Sequence, residues 1–246
     1  MASTFAPQTG RLDRHVRRSV LHVGEGVSRH RISWSIEEAL RLAALPGEEE
    51  GRIYCFRRIS FSGIAADANR RVWTEQVQQV LGAMALRAVH AGHLGAQEAD
   101  AVYFNNLEEA LEILLRGAVR AGAAGRWTAP PWFATSVLGA EQGSTYAAQI
   151  PAILDRLRFS SMAPAASASI LFAALGDADP VPLLAAMPAS MIREWLGELE
   201  TQADLSTAVS PLQFSSEIKT ALQSAASQFG WKDTATVWLA SQAVLA

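Results

Sequence analysis

Two histidines three residues apart, His90 and His93, are the residues of this chain best spaced for chemistry, with Glu98 and Asp100 following. An i, i+3 pair can share one helix face, but a metal site needs a third and usually a fourth ligand on rigid elements. Gly92 stands between the two and a loop pattern follows. The spacing therefore reads first as a solvated helix end, where imidazole suits the negative end of the dipole. No histidine occurs after His93, so any histidine-based site must be built within the N-terminal part. Cys55 is the single cysteine; it excludes an internal disulfide, fits a reducing compartment and lies in an apolar run, where a thiol is buried and inert. Asp177-Ala-Asp179 lacks the glycine and terminal glutamate of a calcium loop and reads as a cap. Gly24-Glu-Gly26 lacks the third glycine of a dinucleotide fingerprint. No Walker, GxSxG or HExxH pattern occurs. No catalytic, metal or cofactor residue is assigned. An enzyme would need a site dispersed in sequence, around His90, His93, Arg57 and Cys55.

Binding chemistry is better represented. Arg57 and Arg58 adjoin in the run Arg52 to Phe61; in a strand they would point to opposite faces, one of them available to a partner or an anion. Trp127, Pro130, Pro131, Trp132 and Phe133 form a segment without helical period. Aromatics beside prolines are enriched at interface cores, and they serve equally as a plug inside the fold. These five and the two arginines are the interface candidates. Basic residues are 19 Arg and 2 Lys, and the formal net charge is −3. Residues 1–130 carry 16 Arg and 14 acids, whereas residues 131–246 carry 5 basic and 10 acidic residues. Without a lysine-rich patch or interleaved aromatics, a nucleic-acid partner is not expected.

The elements that must position these residues follow from pattern. Residues 1–12 read as a disordered arm without the apolar core of a signal peptide. His15 to Val23 predicts a first strand. Ser35-Ile-Glu-Glu38 reads as a capping box opening a helix to about Leu45, stopped by Pro46-Gly47. Arg52 to Phe61 is rich in β-branched and aromatic residues and predicts the central strand. Asp67 would cap a helix from Ala68 to about Ala91, with Val72, Trp73, Val77, Val80, Leu81 and Met84 on one face. Ala101 to Phe104 predicts a short strand, and Asn106-Leu-Glu-Glu109 a second capping box opening a helix to about Val119. Beyond the Pro/Trp segment, helices are predicted at 145–158, 164–175, 180–187, 189–203, 211–229 and 233–245. The expected fold class is α+β: an N-terminal β-α-β-α-β-α layer over 13–121, a linker over 122–143 and an all-α domain over 144–246. The apolar run from Phe159 to Gly176 carries Pro164 and several serines and reads as buried helix, so no membrane insertion is expected.

The N-terminal part resembles proteins of phage-tail-like contractile injection systems, in their tape-measure-like or assembly class. The resemblance rests on HVRRSVLHV, on the strand Ile53 to Arg58 (IYCFRR), on AVYFNNLEEALEILLRG and on RWTAPPWF. It covers residues 13–133 and, more weakly, the helical remainder. It implies a cytoplasmic, non-enzymatic assembly or adaptor protein. Its partners would be particle components or further copies of itself, and it would have no catalytic residue or cofactor. A small ligand- or peptide-binding regulatory domain stays open beside it.

Overall fold

Isoleucine, alanine and leucine recur at positions 32, 36, 39, 40 and 43, the spacing of one helix face. The computed structural model places the first four on helix α1, Arg29–Leu42, and Ala43 at its C-cap; the helix is capped at its start by Ser28, whose hydroxyl accepts from the Arg31 amide. The structure describes residues 14, 16, 28–62, 64–65, 68–125, 130–139, 145–159, 162–176, 178–202 and 214–246, the last five residues of the 178–202 stretch by their backbone alone. The helix thus starts about two turns before the predicted box, at Ser28 rather than Ser35. Ser35 lies inside it and donates its hydroxyl back to Arg31 O at 3.0 Å. Ser28 is the better cap because it frees Ile32 to join the buried face.

Gly47 and Gly51 bracket a 3-10 turn, Glu48–Glu50, at φ of +74° and +91°, a region that glycine enters without Cβ strain. Strand β1, Ile53–Phe56, follows. It is shorter than expected and lies at an edge. The sheet has three strands in the order β1-β3-β2, with β2 at Val89–His90 and β3 at Ala101–Phe104. β1 runs antiparallel to β3 and β2 parallel to it, so AVYF, not IYCF, is the centre. The reason lies in burial. Val102 and Phe104 are inaccessible, while Arg57 and Arg58 are exposed and end β1 in a bend.

Helix α2, Arg70–Ala85, is capped by Asn69, whose Oδ1 accepts from Val72 N at 3.1 Å; the predicted cap Asp67 is outside the described residues. Trp73, Val77 and Leu81, four apart, pack on Ile32, Ala39 and Leu40 of α1, with Phe56, Ile59 and Phe61 around them. Each such side chain contributes roughly 1.5–3 kcal/mol when fully buried. Val72, expected on this face, is exposed. Gln78 clasps the end of α1: its Oε1 accepts from Ala44 N and its Nε2 donates to Ala44 O, both at 2.7 Å. α2 stops at Ala85, so His90 lies in β2 rather than at a helix end.

The chain divides into two compact units, residues up to Glu109 and residues from Ala110. The division falls in the first turn of helix α3, Leu107–Ala123. The described part of the first unit reads α1-β1-α2-β2-β3, with two strands in succession after α2. The expected alternation is therefore not reproduced. The predicted strand at 15–23 falls almost wholly outside the described residues, and Val16 belongs to no strand. The class is mixed α and β, mostly helical, with a small mixed sheet.

In the second unit, every regular element among the described residues is a helix. Its further elements are α4 (Ala134–Leu138), α5 (Tyr146–Phe159), α6 (Pro164–Leu175), α7 (Val181–Ala185), α8 (Ala189–Gln202), α9 (Ser216–Phe229) and α10 (Thr234–Leu245). Pro164 occupies the first turn of α6, where its missing N–H costs nothing. Gly230 ends α9 at φ +95°, and Asp233 caps α10 by accepting from Ala235 N at 2.8 Å. α10 packs on α6, α8 and α9, and α4 packs on α5. Among the described residues no helix is long and apolar enough to cross a membrane.

Candidate functional site

In the first unit, the capping chemistry of α3 gathers the polar groups. Asn106 Oδ1 accepts from Glu109 N at 2.8 Å, and the Glu109 carboxylate reaches back to Asn105, accepting from its backbone N at 2.6 Å and its Nδ2 at 3.1 Å. The predicted box is thus formed, with Glu109 serving Asn105 rather than Asn106. His90 completes the cluster. Its Nδ1 accepts from Gly92 N at 3.3 Å, which assigns the proton to Nε2, and Nε2 donates to Glu109 Oε1 at 3.1 Å. Both ring nitrogens are therefore engaged within the chain, and neither is left to take a proton from a substrate. Burial pushes Glu109 up, but the Asn105 amide, His90 and the Asn105 side chain outweigh it and hold the carboxyl below its ordinary value.

His93 does not join this cluster. It caps the 3-10 turn Leu94–Gln97, its Nδ1 accepting from Gly95 N at 3.2 Å. Cys55 is buried on the sheet face that carries Val102, and burial pushes its thiol up to about 12. The thiolate needed for nucleophilic work is suppressed there. The Arg57 guanidinium donates to Gln97 O and its amide donates to Asp100 O at 2.8 Å, so this residue ties β1 to the loop before β3. Arg58 is exposed. Among the described residues, no three histidine, cysteine or acidic side chains could hold a metal ion together.

The other face of the sheet is aromatic. Tyr54 and Tyr103 are register partners with ring centroids 6.1 Å apart, and Phe56 stacks on Tyr54 at 6.0 Å. His90 meets Tyr103 edge-on at 5.3 Å, and the Arg52 guanidinium lies 5.0 Å from the Tyr103 ring centre. Tyr54 Oη donates to Pro46 O at 2.9 Å. These contacts fix the loop before β1 and leave the rings half-buried.

Of the predicted interface segment, Trp127 lies outside the described residues. Pro130, Pro131 and Trp132 are half-buried, while Phe133 is 3% exposed. Trp132 meets Phe133 edge-on at 5.6 Å, its carbonyl accepts from the Thr135 hydroxyl at 2.8 Å, and α4 follows directly.

A site that sequence reasoning missed lies in the second unit. One face each of α5, α6, α8 and α10 lines a half-open cavity of about 260 Å3. Its walls are Leu157, Leu171, Trp195, Trp238 and Leu245, with the two indoles 5.6 Å apart. The polar groups at the wall are Arg158, Ser167 and Gln242. Ser167 is already committed, donating to Leu157 O at 3.0 Å. The Arg158 guanidinium lies 4.8 Å from the Phe159 ring centre and 5.5 Å from that of Trp195, a geometry that attracts a cation to the faces of both rings. The helix over 145–158 was predicted from sequence; which faces of four separate helices would meet was not.

Comparison with protein-family models, with curated proteins and with solved structures returns no match. The reading of function accordingly rests on the chain's own groups.

Proposed function

We propose that the chain is a cytoplasmic, non-enzymatic assembly or adaptor protein that works through protein–protein contacts. The observation that supports this is a set of large apolar side chains held in water: Leu94, 99% exposed, together with Leu86, Phe159, Trp231 and Trp34, each more than half exposed. Leucine and tryptophan so placed keep most of their surface out of the chain's own core, and aromatic residues of this kind are the usual anchors of a partner interface. Leu86 and Leu94 flank β2 in sequence, and β2 is an edge strand of the sheet formed by the described residues. The engagement of His90, His93, Cys55 and Arg57 in capping, core and loop contacts accords with a binding role.

The partner class that the sequence resemblance suggests is a component of a contractile, phage-tail-like injection particle, with self-association as the other form of the same chemistry. The test is co-purification of the full chain with tube, sheath and baseplate components, compared with the Leu86→Glu, Leu94→Glu double variant. Capture of one component, lost in the double variant with unchanged circular dichroism, is the expected result. A monomer that captures none of them overturns the reading.

A further inference from the structure

We infer that the half-open cavity of the second unit receives Trp231 of a second copy of this chain. This rests on the contact reading above and deepens it, naming the partner and the two surfaces that meet. The knob is built by local chemistry. Helices α9 and α10 pack on one another and are joined by the tight turn Gly230–Asp233, closed by Asp233 N donating to Gly230 O at 3.2 Å. Trp231 and Lys232 are the two central residues of that turn, and both are exposed. Trp231 keeps 65% of its surface in water. A side chain at the corner of a helix hairpin can enter a concave surface; Trp34, in the middle of α1, lacks that reach.

The hole suits this knob in shape and chemistry. Because the cavity is half open, a side chain can enter while its backbone stays outside. A space of about 260 Å3 at about 30 Å3 for a water-sized group holds on the order of nine such groups, the scale of an indole. Trp195, Trp238, Leu157, Leu171 and Met162 supply an apolar wall, and paired aromatic rings gain beyond the area they bury. Phe159 belongs to the lining and is nonetheless 73% exposed, so an apolar ring stands at the mouth in water. An arriving indole would cover it. The fit asks nothing of Arg158, which keeps its contacts with Phe159, Trp195 and Glu194.

Charge chooses the partner. Glu194 adjoins Trp195 of the wall in sequence, and its carboxylate lies 4.0 Å from Arg158, another wall residue. The Glu194 side chain is 68% exposed, so an acid stands beside the mouth. The knob carries Lys232 directly after Trp231, one of the two lysines of the chain. With the indole seated, the flexible Lys232 stem brings its ammonium to Glu194. Asp233, the next residue, is held in the cap of α10. One chain carries both surfaces, so each copy gives a knob and accepts one, which is how identical chains associate through unlike patches.

The test is sedimentation velocity of the full chain across a concentration series. Trp231→Ala removes the knob and Met162→Trp fills the hole, and each should weaken self-association about tenfold or more, as loss of an aromatic anchor does. An equimolar mixture of the two variants should form a one-to-one complex, because one keeps the hole and the other the knob. Lys232→Glu should weaken the association of the natural chain by up to about fivefold. Should Met162→Trp fail to fold by circular dichroism, Gln242→Phe, which adds bulk to the same lining, takes its place. The Leu86→Glu, Leu94→Glu variant, altered only in the first unit, should self-associate as the natural chain does. A natural chain that stays monomeric throughout, an association that survives Trp231→Ala, or a mixture that remains two monomers would overturn the proposal. Capture of a particle component by a chain that stays monomeric would overturn it too, and would leave the contact reading standing.

Discussion

Gly117 is the residue at which local propensity and packing oppose each other most directly. It lies in the interior of α3, where glycine ordinarily costs about 1 kcal/mol relative to alanine. On propensity alone, Gly117→Ala should stabilise. A Cβ built there, however, would lie 2.9 Å from Cζ of Tyr146 and closer still to its hydroxyl. Tyr146 is itself buried at the start of α5, and burial pushes its phenol up to about 12. The ring is rigid and enclosed, so it cannot yield as a surface lysine would. Overpacking of this kind costs about 1–3 kcal/mol, which exceeds the helical gain. Gly117→Ala is therefore expected to lower the denaturant midpoint at unchanged slope. Gly117→Ala combined with Tyr146→Phe should recover part of the loss, since the hydroxyl makes the closest contact.

At the scale of elements, the start of α3 sets an acid limit on the fold. Glu109 has a folded pKa below its ordinary value, so in the window beneath that value the unfolded chain binds more protons than the folded one. Stability then rises with pH across the window, and the contribution is fully present above the ordinary glutamate range. It is lost as pH falls through the depressed value. Glu109→Gln should cost about 1 kcal/mol at neutral pH, in line with loss of a helix cap, and should flatten the acid limb of a stability–pH curve. A variant with an unchanged acid limb would show that the carboxylate does not carry this dependence. The same element shows what a sequence discloses. Asn106 and Glu109 were legible because a cap is local chemistry, complete within four residues. Most helices of the second unit were legible for the same reason, as Pro164, Gly230 and Asp233 mark their ends. The rank of the strands was not. IYCF and AVYF have similar composition, and only the packing that renders Val102 and Phe104 inaccessible makes the second one central. His90 was misplaced because a two-residue strand leaves no period to read. The cavity was invisible because it needs four helix faces brought together by non-local contacts.

At the scale of the molecule, the composition is half apolar and 18% charged, leaving few charged groups to cover the surface. Apolar residues are ordinary on protein surfaces one at a time, so exposure alone decides little. The size of the exposed groups decides more. Leu86 and Leu94 present nearly whole side chains and Trp231 most of one, and their burial against another molecule would contribute up to roughly 1.5–3 kcal/mol each. Their removal should cost the fold little, because surface substitutions away from caps and cores usually stay within about 0.5 kcal/mol. The two consequences separate folding from association. The triple variant Leu86→Ser, Leu94→Ser, Trp231→Ser should melt within a few degrees of the natural chain. In sedimentation velocity the natural chain should show a sedimentation coefficient that rises with concentration, and the variant one that does not. If the variant instead unfolds early, these side chains serve the chain's own stability, and the contact surface must be sought elsewhere on the molecule.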